Sequence, residues 1–202
     1  MIKITVKWND SVEIQIKALL SAFNDENLGK DMDDLIFNYL KNFKDIIFFT
    51  GIGKNMHVAA KVSDTFNSLG IRSIFVDPIE TLHGNMGIFT GKEILIAISK
   101  SGETEELINF IKTYKSLGYG DVILFTSNSN STLAKMVKKV ITVKILKEGD
   151  HLNLAPISST MIFGVLLDAI AVQLSSERNF TKNDFIKNHP GGSLGRTKAA
   201  IN

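Results

Sequence analysis

Glu93-Ile94-Leu95-Ile96-Ala97-Ile98-Ser99-Lys100-Ser101-Gly102-Glu103-Thr104 is an apolar, β-favouring run that ends in a hydroxyl-rich turn, and a helical pattern starts directly behind it near Glu105. The order reads as strand, turn and helix N-terminus. Unpaired N–H groups of a first helical turn, the positive end of the helix dipole and short hydroxyls at Ser99, Ser101 and Thr104 together form a seat for a dianion such as phosphate. Taken alone, the turn suits an ordinary Ser/Thr helix cap equally well, so neighbouring segments have to break the tie. The chain has only three arginines, Arg72, Arg178 and Arg196, so lysine and backbone amides rather than a bidentate Arg clamp must carry such a ligand.

Working outward, the same order repeats. Asp45 to Thr50 is an unbroken apolar run of the kind found in strands covered on both faces. It leads through Gly51 to Gly53 into a helix from about Asn55 to Leu69. Strands follow at Ser73 to Val76, Glu93 to Ser99, Asp121 to Thr126 and Val140 to Ile145, with helices over Glu105 to Leu117 and Ser131 to Lys138. A long helix from Pro156 to Glu177 and a short one from Asn183 to Asn188 close the chain. Ahead of the first strand, helical spacing from Asp10 to about Asn42, interrupted around Asn24 to Lys30, predicts two helices.

Five strands alternating with helices imply an α/β, three-layer αβα sandwich on a five-stranded parallel sheet, with right-handed crossovers. With a flavodoxin-like strand order 2-1-3-4-5, ligands bind beyond the carboxyl ends of strands one and three. The turn Gly51-Ile52-Gly53-Lys54 and the Ser99 to Thr104 turn then share one crevice, which would bring the Lys54 ammonium beside the hydroxyls and favours phosphate binding over mere capping. A dinucleotide site is a poor match: the third glycine of the fingerprint is missing, since Met occupies position 56.

With 202 residues, 44% of them hydrophobic, the chain can bury one substantial core but is short for two full domains. Residues 1–44 are expected to form helices packing on the core, and 45–202 the main domain, within a single structural unit. The net charge of +2 is spread along the chain without a basic run, which argues against a nucleic-acid partner. The absence of cysteine excludes disulfides and thiolate metal sites, and Met1 to Lys7 lack an apolar signal core, so a cytoplasmic protein is expected. Ala155 to Leu174 is apolar enough to consider as a membrane span, but Asp168 and Gln173 make a buried helix the better reading, and no membrane partner is expected.

Among polar residues, His57 falls inside a hydrophobic helical pattern and reads as packing, and His151 sits in a polar loop. His83 and His189 stand beside glycines, where backbone turns can aim a ring into a cleft. Glu148 follows the fifth strand and could reach the crevice or could be a solvated charge. Glu106, in the first turn of the helix after strand three, could act there or simply complement the dipole.

Five segments in order carry a resemblance: Gly51-Ile52-Gly53-Lys54, His83-Gly84-Asn85, Ser99 through Glu106, Leu154-Ala155-Pro156-Ile157-Ser158-Ser159-Thr160, and His189-Pro190-Gly191-Gly192-Ser193-Leu194-Gly195-Arg196. Together they resemble the sugar isomerase (SIS) domain of arabinose-5-phosphate isomerases, over about residues 45 to 196. The resemblance implies interconversion of D-ribulose 5-phosphate and D-arabinose 5-phosphate, which leads into 3-deoxy-D-manno-octulosonate for lipopolysaccharide or capsule. It places Lys54, His83, Glu106, Glu148 and His189 at the active site, and Ser99, Ser101, Gly102 and Thr104 around the phosphate. It also implies a homo-oligomer, usually a tetramer, in which the tail histidine can serve a neighbouring subunit.

No cofactor or metal is implied, and no short ligand spacing such as H-x-x-x-H occurs. Either Glu148 or His189 could be the base. Phosphohexulose and sedoheptulose 7-phosphate isomerases are the nearest enzymatic alternatives. A non-catalytic sugar-phosphate sensor is another, but it would have no need of Glu148 and His189 together. The chain departs from the family pattern at Asn55-Met56, Lys100 (where Asn is common), Asn85 and Ile157. It also stops six residues after Arg196, where most relatives continue into paired regulatory modules of the cystathionine-β-synthase type; it is either a naturally short isomerase or a shortened one.

Overall fold

Alternate residues of the central strands go to opposite sides of one sheet, and each side has its own core. The computed structural model describes residues 7–191. The strands are β1 (Ile47–Gly51), β2 (Ser73–Phe75), β3 (Ile94–Ile98), β4 (Asp121–Thr126) and β5 (Lys139–Thr142). All pair in parallel in the order β2-β1-β3-β4-β5, the predicted flavodoxin-like arrangement. The helices are α1 (Trp8–Phe23), α2 (Glu26–Asp34), α3 (Lys54–Ser68), α4 (Pro78–Leu82), α5 (Glu105–Ser116), α6 (Ser158–Glu177) and α7 (Lys182–Asn188).

On one face, Ile47 and Phe49 of β1 and Ile94, Ile96 and Ile98 of β3 meet buried residues of α1, α2, α3 and α6. On the other, Phe48, Leu95 and Ala97 meet Leu107, Phe110, Ile111 and Tyr114 of α5. Edge-to-face ring pairs, Phe49 with Phe66 at 4.8 Å and Phe48 with Phe89 at 4.9 Å, tie the sheet to both layers. This two-sided burial is why β1 and β3 read as continuous apolar runs rather than alternating ones. Helix α6 is long and apolar enough to cross a membrane by composition. In the fold it is a core helix, packed on α3 and α1.

Three expectations change. The N-terminal helices break only at Asn24–Asp25: the Asp25 carboxylate caps Asn27 N at 2.9 Å, so Gly29 lies inside α2, which continues into a π-helical turn over Leu35–Leu40. The helix expected over Ser131 to Lys138 does not form. Its Leu133 N–H goes to Gly102 O (3.1 Å) and its Thr132 N–H to a Glu103 carboxylate oxygen (2.9 Å), and the segment closes only isolated turns, Lys135 N to Ser131 O at 3.2 Å and Met136 N to Leu133 O at 3.0 Å, before β5 begins. His57, read as packing, is exposed on α3.

Candidate active site

The parallel register sets the site. Ile98 pairs with Gly51 on one side and Phe125 on the other, so the chain leaves β1, β3 and β4 at neighbouring points on the carboxyl edge. Gly53, at φ +62° and ψ −128°, turns the chain sharply into α3 in a conformation that favours glycine.

Between these exits lies a cavity of about 440 Å³ lined by Asn55, Ser99, Lys100, Ser101, Thr104, Ser127 and Asn128. The turn is held by its own hydroxyls: Gly102 N donates to Ser99 Oγ at 3.1 Å, Glu103 N donates to Ser101 Oγ at 3.2 Å, and Ser99 Oγ lies 3.3 Å from Thr104 Oγ1. Thr104 is the N-cap of α5, yet its side chain caps no backbone N–H. The capping explanation for the turn therefore fails at the cap residue itself.

Gly102, at φ +68°, could not carry a side chain, because a Cβ there would come within 2.1 Å of Ser131 Oγ. Several buried polar atoms on this edge have no hydrogen-bond partner among the described residues: Thr50 Oγ1, Asn55 Oδ1, Ser127 Oγ, Ser158 Oγ and Ser159 Oγ. Orphaned polar atoms are rare in folded interiors, and a cluster of them marks where a polar ligand supplies the missing partners.

Glu148 is fully buried rather than a solvated charge. One oxygen, Oε2, accepts from Ile157 N at 2.8 Å and Ser159 N at 3.2 Å at the start of α6; the other, Oε1, is 2.6 Å from the Lys100 ammonium. Burial pushes its pKa up, but the Lys100 ammonium and the Ser159 hydrogen bonds outweigh that and hold the carboxyl below its ordinary value. The segment leading to α6 is shaped by Asp150, which accepts from Leu152, Leu154 and Ala155 N–H groups, and by Asn153, whose side chain accepts from Glu148 N at 2.7 Å.

The other expected site residues divide. Ser99, Ser101 and Thr104 line the cavity, Gly102 is buried in the turn between them without lining it, and Glu148 reaches it through Lys100. Glu106 is exposed in the first turn of α5 at the carboxyl edge, and His83 is the exposed C-cap of α4; neither lines the phosphate-loop cavity. Lys54 does not line the phosphate-loop cavity; its neighbour Asn55 does. Lys54 instead lines an adjacent groove between α3 and α6 with His57, Lys61 and Asp168.

His189 is not brought to this edge. It caps α7, its Nδ1 is 2.7 Å from Phe185 O and its ring stacks on Phe185 at 4.0 Å. The Gly192 to Arg196 part of the tail lies outside the described residues. Lys100 is the residue that sequence reasoning missed as a site group; its only signal was that it stands where the family commonly has Asn.

A larger cavity, about 700 Å³, opens at the opposite, amino edge beside Asp34, Lys92, Glu93, Asp121 and Lys138, without a phosphate-type turn. No group of three or more His, Cys, Asp or Glu side chains arranged to hold a metal occurs among the described residues.

An open parallel sheet with a serine-threonine turn at the β3–α5 junction defines an open-sheet α/β protein with its candidate site at the carboxyl edge, and the SIS domain model matches residues 40–173. The chain belongs to the SIS family. It is 39% identical over 175 residues to the arabinose 5-phosphate isomerase KpsF of Escherichia coli O6:H1, covering 85% of this chain and 53% of that protein. It is 38% identical over 200 residues to the arabinose 5-phosphate isomerase KdsD of Francisella tularensis, covering 96% of this chain and 60% of the relative. The chain thus spans little more than half the length of these curated relatives. Among solved structures it superposes on an E. coli CFT073 protein in complex with arabinose 5-phosphate, with a TM-score of 0.85 and 31% identity over 90% of this chain and 95% of that one.

Proposed function

We propose that the protein is an aldose-ketose isomerase that interconverts D-ribulose 5-phosphate and D-arabinose 5-phosphate, feeding 3-deoxy-D-manno-octulosonate synthesis for lipopolysaccharide or capsule. The observation that carries this reading is the coupling of a phosphate-type turn to a buried carboxylate through Lys100, which lines the cavity and pairs with Glu148 at 2.6 Å. The names of the relatives, and the sugar phosphate bound by the E. coli neighbour, support the particular sugar.

Isomerisation moves a proton between C1 and C2 through an enediol, so it needs a base, a group that shuttles hydroxyl protons and positive charge near the developing oxyanion. Ser99, Ser101, Gly102 and Thr104 hold the phosphate. Glu148 and His189 supply the base and its partner. His83 shuttles hydroxyl protons during ring opening, Glu106 acts beside it, and Lys54 gives electrostatic support from the neighbouring groove. No metal or redox cofactor is required, and activity is expected to survive exhaustive chelation.

Self-association belongs to the same proposal. On α1, Trp8, Val12, Ile16, Leu20 and Phe23 form an exposed stripe at helical spacing, while Ala18 and Ala22 face the core. Exposed Val165 and Val172 extend the apolar surface onto α6. Exposed apolar residues at this spacing support a homo-oligomer, a tetramer in our reading, in a cytoplasmic protein. Residues 1–44 then contribute both core cover and interface to the domain at 45–202.

The test is incubation with arabinose 5-phosphate, fructose 6-phosphate and sedoheptulose 7-phosphate separately in D2O, with exchange and product followed by NMR. Turnover of arabinose 5-phosphate alone is the expected result. Turnover of another sugar reassigns the substrate, and binding without exchange makes the protein a sensor.

A further inference from the structure

Among the described residues lining the phosphate-loop cavity, Lys100 is the only cation, and it is already committed to Glu148. The two described arginines lie far from it: Arg72 immediately precedes β2 at the amino edge, and Arg178 donates to Leu40 O and Phe43 O. Lys100 is anchored at its backbone, where its carbonyl accepts from Ser127 N at 2.9 Å and Thr126 Oγ1 at 3.1 Å. Its side chain is 39% exposed and can swing, whereas the Glu148 side chain is fully buried and its Oε2 is pinned by two N–H groups at the start of α6. Oε1 is thus the oxygen that the backbone leaves open, and the ammonium covers it.

We propose that Lys100 is a positioning residue through which phosphate binding releases Glu148: a dianion on the Ser99 to Thr104 turn draws the Lys100 ammonium toward itself and leaves Glu148 Oε1 open to the sugar. The release rests on the isomerase reading for its use, but not for its existence. Two anions, one fixed by the fold and one brought by the ligand, compete for a single mobile cation. Without the phosphate, Glu148 is neutralised and covered, so a sugar lacking phosphate meets a blocked base. An Asn at position 100 could hydrogen-bond Glu148 but would bring no charge to exchange.

The test uses the full chain, inorganic phosphate as the probe and ¹³C-glutamate NMR, with the Glu148 carboxyl signal assigned by its loss in Glu148→Gln. In the unsubstituted protein, saturating phosphate is expected to move the Glu148 titration midpoint upward. In Lys100→Met the phosphate-induced movement is expected to fall to less than half, and in Lys100→Arg most of it is expected to return. Equal movement in the unsubstituted protein and in Lys100→Met, or no movement while phosphate binds, overturns the proposal, as does failure of phosphate to bind.

Because Lys100→Met leaves a buried carboxylate unpaired, which can by itself prevent folding, the double variant Lys100→Met/Glu148→Gln is compared with Glu148→Gln alone. Loss of the cation is expected to weaken phosphate binding about tenfold, as for a charge-assisted hydrogen bond. Equal affinity also overturns the proposal. None of these measurements depends on turnover, so a protein that isomerises no sugar but shows the coupling defeats the functional reading alone.

Discussion

The Asn188 side-chain amide donates to the Asn67 main-chain carbonyl at 3.2 Å and ties the end of α7 to the last turn of α3. Helix α3 starts at the carboxyl edge of the sheet, so a residue beside Asn67 is a helix length, about 20 Å, away from the phosphate turn. His189, one residue further on, is therefore placed away from its own chain's Glu148.

Under the proposed function, this placement assigns His189 to the site of a neighbouring subunit. His189→Ala is expected to lose about 10²- to 10⁴-fold in kcat while folding normally, the usual contribution of a catalytic acid or base. Mixing inactive His189→Ala with inactive Glu148→Gln subunits should restore part of the activity in co-refolded hybrids. Hybrids that form, as judged by native mass spectrometry, yet stay inactive would return both residues to one chain's site.

Ser101→Ala and Thr104→Ala should each cost on the order of 1 to 3 kcal/mol of substrate binding, the range for a lost hydrogen bond to a charged partner. KM for the sugar phosphate should rise, and protection by inorganic phosphate against thermal unfolding should shrink. An unchanged KM together with unchanged protection in both variants would place the phosphate elsewhere.

Gly102→Ala is expected to damage the turn twice, through the left-handed φ of +68° and through the Cβ that would come within 2.1 Å of Ser131 Oγ. The combined destabilisation should be at least about 1 to 3 kcal/mol, read from urea unfolding, with phosphate protection lost. A substitution that leaves both unchanged would mean that the turn tolerates a different path.

Acid should destabilise the fold through Glu93 at the amino edge. Burial pushes this carboxyl up, but hydrogen bonds from Thr90 N, Gly91 N, Tyr114 OH and Gly120 N prevail and hold it at about 2. A depressed folded-state value contributes stability above the ordinary carboxylate range that is lost as pH falls through about 4.5 toward 2. The contribution at neutral pH is about 3 kcal/mol. Glu93→Gln should flatten the urea midpoint over that pH interval, and an unchanged slope would remove Glu93 as the cause.

The sequence by itself determined the alternating strands and helices and the phosphate-type turn, because these rest on local period and on β-favouring runs, whereas crossover handedness allows more than one strand order and the pairing of the folded sheet selects β2-β1-β3-β4-β5. The N-terminal helices were misread because a particular cap at Asp25 sets where they break, and Ser131 to Lys138 because contacts with Gly102 and Glu103, far away in the chain, fix its path. Only the tertiary structure decided which neighbour, Lys54 or Asn55, lines the cavity, since successive helical side chains point about 100° apart and the turn at Gly53 sets the phase. Only it buried Glu148 against Lys100, 48 positions away in the chain, and carried His189 to the far edge. Residue types and spacings record local preference, whereas the partner of a charge depends on how separate segments pack, a property of the folded chain as a whole.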